Sequence, residues 1–465
     1  MLNKQKLNLK EEDSLRALCL ALIVFFAPLA VLPPSTLNLF ELEEGVNWQT
    51  PASSTPLVNV SVSSSAGYFL SSGYYHACSA SNQSEYLTCW GKNTAGQHGD
   101  GTTVGISTPV ESLSLNGPII DLDSGSSSAD SGFTCAVNSM NELYCWGSNQ
   151  KGQLGLGDST PSTTPSRIVL ESNLGAVKVS TGYGHACAVA TDGAVKCWGW
   201  GTDGRLGHGG NGDRNIPTTT ASLGPGRTAI DVSTSWQHSC ALLDDGSVVC
   251  WGEGGNGKLG NGGTQTKYSP TPVTGFGPST PVKQISSGYE HTCALLVNGS
   301  VSCWGNNAYG ALGRGGTSGI NTQPALVVGL ENKNIVFIDA GYHSTCAVED
   351  TGNAYCWGWN NHGQLGDGTF TSRTQPVEVL SLGFNRKATK VSTNLMHTCF
   401  LLDDASVNCW GDNFFGALGD GTFTDSYLPR VYANRTVPSP KVQSIVEQQQ
   451  SEVLLDGEVF EFMDS

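Results

Sequence analysis

Apolar positions along this chain come in short alternating segments broken by Gly, Asn and Asp. In Ile285 to Trp304 (ISSGYEHTCALLVNGSVSCW) an alternating segment ends in Cys293-Ala294-Leu295-Leu296, a turn falls at Asn298-Gly299, and Val301 to Trp304 runs back. Asn-Gly or Asp-Gly between two apolar runs predicts a β-hairpin, with both turn residues tolerating positive φ. Asp192-Gly193 and Asp245-Gly246 hold the same place in neighbouring stretches. Beyond each hairpin comes a Gly-rich stretch, as in Gly152-Gln153-Leu154-Gly155 and Gly310-Ala311-Leu312-Gly313, then a variable polar loop, then a Pro-led strand such as Pro376-Val377-Glu378-Val379. Gly in such a setting provides tight turns and close packing.

The pattern repeats. Cys-Trp-Gly begins at residues 89, 145, 197, 250, 303, 356 and 409, in steps of 56, 52 and then four times 53. A period near 50 residues made of strands predicts four-stranded propeller blades, so the fold class is all-β, a seven-bladed β-propeller. Fourteen of the 15 cysteines fall into pairs: Cys78 with Cys89, Cys135 with Cys145, Cys187 with Cys197, Cys240 with Cys250, Cys293 with Cys303, Cys346 with Cys356, and Cys399 with Cys409. Folding about the turn sets the two cysteines of a pair nearly opposite each other, so one disulfide per blade is expected. An even set at constant spacing reads as the disulfide framework of an oxidising compartment rather than as reduced core thiols. No C-x-x-C occurs, which removes zinc and thioredoxin-like sites of that spacing.

Composition narrows the picture. Of 465 residues 59 are Gly and 14% are charged, against roughly 25% charged in average domains, which leaves too few Lys, Glu and Arg for a helical bundle. The net charge of −16 argues against a nucleic-acid partner, since phosphate binding needs clustered Lys and Arg.

At the amino terminus the apolar run Ala17 to Leu32, holding Cys19, follows Lys4, Lys6, Lys10 and Arg16. It reads as a signal peptide core or a short membrane anchor; no clean small-x-small cleavage site stands out, and an uncleaved anchor is the favoured of the two. The organisation expected is a signal anchor or peptide over 1–35, a linker over 36–56, the propeller over 57–446, and an acidic tail or degenerate repeat fragment over 447–465. The protein is expected to be exported, either secreted or held at the cell surface, touching the membrane only through this segment. Asn59, Asn82, Asn298 and Asn434 begin possible glycosylation sequons.

The linked elements S-x-G-x-x-H-x-C-A-L, D-G-x-V-x-C-W-G-x-N and G-Q-L-G-x-G resemble the repeat of the regulator of chromosome condensation family, over about residues 66 to 431. The resemblance implies a seven-bladed propeller whose ring is closed by strands from both chain ends, for which Leu57 to Ser63 and Lys441 to Val446 are the candidates. Members include a nuclear exchange factor for a small GTPase, a plant ultraviolet-B photoreceptor, modules of ubiquitin ligases and secreted β-lactamase inhibitors. An exported acidic chain suits neither a nuclear GTPase nor chromatin. The photoreceptor's clustered Trp precede the repeat His, and the slot two before His holds Trp here only at Trp236.

Several motifs imitate sites. His76, His185, His238, His291 and His397 each lie two before the first Cys of a pair, with His343 one position off and Phe133 in the second unit. They read as structural hydrogen-bonding residues rather than a metal ring. Gly252 to Lys258 imitates a phosphate loop, but Leu259 stands where Ser or Thr must hold magnesium. The Asp-Gly-Thr triplets at Asp100, Asp367 and Asp420 lack partner carboxylates for calcium and read as turns. No catalytic constellation and no cofactor motif is found. What varies between equivalent units is not required by the fold. Trp200, Trp359, Tyr309, Phe414, Phe415 and Arg373 are such residues, and they form the candidate binding surface because aromatics and Arg dominate binding hot spots. The expected function is a monomeric, non-enzymatic interaction module for a protein or glycan. A secreted enzyme inhibitor or extracellular enzyme on the same fold is the alternative, and nucleotide exchange by family analogy the second.

Overall fold

The structure, a computed structural model, describes residues 67–429 apart from 129, 172 and 173. The apolar run at 17–32, the strand candidates at 57–63 and 441–446 and the segment 447–465 lie outside the described residues, as do Asn59 and Asn434.

Each repeat folds as one antiparallel sheet in chain order, and the described residues form seven such sheets, six of four strands and one of three. In blade five these are β17 (Val282–Ser287), β18 (His291–Leu296), β19 (Val301–Asn306) and β20 (Ile320–Leu326). Strand numbers run in chain order from β1 (Tyr68–Ser72) to β27 (Val407–Gly411).

The register sets Cys293 opposite Cys303 on β18 and β19, with Cα atoms 4.1 Å apart and the sulfurs bonded. The other six blades repeat this at the same Cα separation of 4.1 Å. Cys78 is bonded to Cys89, Cys135 to Cys145, Cys187 to Cys197, Cys240 to Cys250, Cys346 to Cys356 and Cys399 to Cys409. All seven pairs are those expected from the spacing, because the hairpin places both members directly across one ladder.

The hairpin turns differ from the expected two-residue form. In blade five the loop has three residues, Val297 to Gly299, closed by Leu296 N–H donating to the Ser300 carbonyl at 2.9 Å. Only Gly299 takes positive φ (84°). Asn298 instead accepts a hydrogen bond from Ser300 N–H at 3.0 Å, as Asp192 and Asp245 do from Ala194 and Ser247. Asn and Asp are there for the side-chain acceptor, and Gly alone for the left-handed backbone.

The core lies between blades rather than within them. Cys187, Val189, Val195 and Leu206 of blade three pack on Val232, Ala241, Leu243 and Trp251 of blade four. Each Cys-Trp-Gly indole is buried and donates Nε1–H to a carbonyl in the Gly-rich loop of the preceding blade. The acceptors are Ala417, Gln97, Gln153, Arg205, Lys258, Ala311 and Gln364 for Trp90, Trp146, Trp198, Trp251, Trp304, Trp357 and Trp410, at 2.8–3.0 Å. The last Gly of each loop lies against that indole. Gly207 has φ 69°, and a Cβ there would come 2.7 Å from Trp251 Nε1. This is the physical content of the G-x-L-G signature.

A second ring runs around the central channel, where the innermost strands expose edge N–H groups with no ladder partner. One side chain per blade meets the edge of the next: Ser71, Asp123, Ser180, Ser233, Ser286, Asp339 and Ser392 accept from the amides of Ser124, Thr181, Thr234, Ser287, Ala340, Thr393 and Ser72, at 2.7–3.0 Å. The final bond, Ser72 N–H to Ser392 Oγ, joins the last blade to the first. Trp90 and Ala77 also pack there on Leu401, Val407 and Leu418.

The remaining imitation motifs resolve as turns and braces. Asp100 accepts from Thr102 N–H at 2.9 Å, and Lys258 is buried in an ion pair with Glu253. No group of three or more His, Cys, Asp or Glu suited to a metal ion occurs among the described residues.

Candidate functional site

In a four-stranded antiparallel blade the turn between strands one and two and the loop between three and four emerge on the same face, and the hairpin between two and three on the other. The recurrent slot two residues before the repeat His lies in the first turn. It holds Tyr74, Tyr183, Trp236 and Tyr289, and in blade six, where Ser344 replaces His, Tyr342. These five rings meet over the channel mouth: Trp236 stacks on Tyr183 at 4.3 Å and on Tyr74 at 5.5 Å, Tyr289 stacks on Tyr342 at 4.4 Å, and Trp236 meets Tyr289 edge-on at 4.4 Å. Burial and the neighbouring phenols push the Tyr74 hydroxyl far above its ordinary pKa, and its oxygen has no hydrogen-bond partner among the described residues. Behind the rings lies a polar chamber of about 220 Å³, lined by the seven edge-capping Ser and Asp side chains.

Burial pushes Asp339 up to about 7 and Asp231 up to about 6, and burial lowers Lys390 to about 8. Four of the repeat histidines bridge to the next blade. His76, His185, His238 and His291 bond the hydroxyls of Thr134, Ser239, Thr292 and Thr345 on the next blade at 2.8–3.2 Å. Desolvation holds them neutral, His76 and His291 down to about 3.

Five of the six sequence-selected residues join the aromatic face. Trp200 packs 5.8 Å from Tyr183, beneath Arg205 at 4.6 Å and Lys151 at 4.7 Å. Tyr309 and Trp359 lie 6.0 Å apart, with Trp359 6.1 Å from Tyr342. Phe414, 71% exposed, stands edge-on to Phe415 at 4.8 Å, and Phe415 lies 4.7 Å from Tyr75. Arg373 is not brought into this group: its guanidinium is engaged by Asp367 at 2.7 Å in the outer loop of blade six. The central tyrosines were missed because only Trp was sought at their slot; an aromatic recurring there in five units was the available signal. The sequon residues Asn82 and Asn298 are exposed.

Comparison with known proteins places these features. The family model described as RCC1-like domain matches residues 45–394, and that of the regulator of chromosome condensation (RCC1) repeat matches residues 388–417. The human E3 ubiquitin-protein ligase HERC2 is 31% identical over 349 residues, 74% of this chain; the match spans 7% of the ligase's own length. The ultraviolet-B receptor UVR8 of Arabidopsis thaliana is 29% identical over 362 residues, covering 78% of this chain and 80% of the receptor. Among solved structures, Prp20p from Saccharomyces cerevisiae, studied for its binding to Gsp1p and histones, superposes with a TM-score of 0.64 at 21% identity, over 74% of this chain and 85% of that one. This last likeness shows the fold.

Proposed function

The chain belongs to the RCC1-like domain family, and from that membership we propose that it is an interaction module that binds a protein partner through the aromatic face of its ring. The observation that carries this is the gathering of Tyr74, Tyr183, Trp236, Tyr289 and Tyr342 with Trp200, Tyr309, Trp359, Phe414 and Phe415 on one face. Aromatics grouped around a partly exposed centre are the composition of binding hot spots. Prp20p, of the same fold, binds proteins, which supports the same use here. The role proposed is binding without turnover, and the place proposed is the cell surface or the medium outside it. Seven bridges and a basic-flanked apolar run support that location.

Quantitative affinity capture with the full chain tests the binding reading. Partners retained by the wild type should be lost from the double variant combining Phe414→Ser with Phe415→Ser, and kept by Val297→Ser on the opposite face. Loss only with Val297→Ser would overturn it. Peptide mapping under non-reducing conditions tests the location, with seven intra-blade bridges expected; a cytosolic protein with free thiols would contradict it.

A further inference from the structure

The rings around the mouth divide into two halves by what covers them. In one half the chain supplies its own cations: Lys92 Nζ lies 4.0 Å from the Phe415 ring centre, and Lys151 and Arg205 flank Trp200. In the other half, on blades five and six, Tyr342 packs 4.4 Å from His343, Tyr309 5.4 Å from His343, and Trp359 5.3 Å from His362. Among the described residues no Lys or Arg stacks on these rings. Arg373 is held by Asp367, and Lys258 by Glu253.

Two carboxylates border this second half. Glu290 accepts a hydrogen bond from Asn306 Nδ2 and has no ion-pair partner among the described residues. Asp412 lies 4.0 Å from His362 Nδ1. Burial pushes the His343 pKa down, with Glu290 acting in the opposite direction, so near neutral pH its ring offers a face rather than a charge. Trp359 Nε1 has no acceptor among the described residues.

Tyr309 adds an independent sign. It sits at φ 58° and ψ 7°, left-handed backbone that a bulky aromatic side chain rarely adopts, where blades three and four carry Asp203 and Asn256. Asn or Asp would hold this turn with less strain, and strained residues gather where function retains them. The ring that the strain retains is 45% exposed and stands over His343 and Trp359.

We propose that Tyr309, Tyr342, His343, Trp359, His362 and Glu290 form a socket for one arginine side chain on an extended segment of the partner protein. A guanidinium stacks on aromatic faces while its N–H fork donates to a carboxylate, which is the pairing this half lacks and the other half satisfies internally. The net charge of −16 favours approach by a basic segment. This rests on the reading of the aromatic face as protein-binding.

Selection of short random display peptides on the full chain tests it. Retained peptides should share an Arg, lose about tenfold in affinity when that Arg becomes Gln, and lose about tenfold against Glu290→Gln or Trp359→Ala. Tyr309→Asn should weaken binding while raising Tm, a split that a purely structural tyrosine would not give. Peptides that share no basic residue yet are lost on Phe414→Ser overturn the socket and leave the face reading standing. Peptides indifferent to every substitution on this face overturn both. A library that yields no retained peptide, or a dimer of the chain that Trp359→Ala dissolves, overturns the socket.

Discussion

At the residue scale, contacts between blades are matched pairs. Where a blade carries His, the next places a hydroxyl before its first Cys; where blade two carries Phe133, blade three places Ala186. One pair is mismatched: His397 faces the first blade, which has Ala77 at the hydroxyl position, and its Nε2 has no partner among the described residues. Ala77→Ser supplies that hydroxyl and is expected to stabilise the protein by about 1 kcal/mol in urea unfolding, whereas Thr292→Ala, which orphans His238, should cost about 1–3 kcal/mol. No gain from Ala77→Ser would remove the pairing rule. Asp339 gives a pH test. Its folded pKa is raised from 3.8 to about 7, so its contribution is fully present below the unfolded value and is lost as pH rises through the folded one. Asp339→Ser keeps a hydroxyl acceptor of the kind five other blades use. Its Tm relative to wild type should therefore climb between pH 4 and pH 8; a flat difference would contradict the buried carboxyl.

At the scale of the element, the blade was legible in the sequence because its period and its Cys-Trp-Gly and Gly-x-Leu-Gly signatures are local. The bridges were legible for the same reason, Cys240 and Cys250 or Cys346 and Cys356 being ten positions apart in one hairpin. The joints between blades were not. The Ser71 to Ser392 ring uses Ser and Asp in strands that look ordinary, since its hydrogen bonds cross to residues 53 to 58 positions away and, at closure, 320. The indole joint is similar: Trp251 is conspicuous in sequence, but its acceptor, Arg205 O, belongs to the preceding repeat. Trp251→Phe removes the donor together with part of the buried ring. It is expected to cost about 1–2 kcal/mol, read by thermal or urea unfolding. A cost near zero would reduce the indole to filler.

At the scale of the whole molecule, radial repetition leaves one aromatic face, one hairpin face and a channel. Seven bridges, each closing a loop of ten or eleven residues, restrain the unfolded chain by roughly 2–3 kcal/mol apiece in the entropy model, so reduction should lower Tm steeply. A Tm unchanged by reductant would leave the bridges without a stabilising role. Loop aromatics such as Trp200, Trp359 and Phe414 were legible because they break the repeat. The central tyrosines were hidden because they obey it, a residue type that recurs being read as scaffold. The central claim is that the partner is bound on the face carrying these rings. Site-specific photo-crosslinking tests it most directly, with the reactive group placed at Phe414 or, on the hairpin face, at Asn298. The account predicts protein adducts from position 414 and none from 298. Adducts confined to position 298 would contradict it.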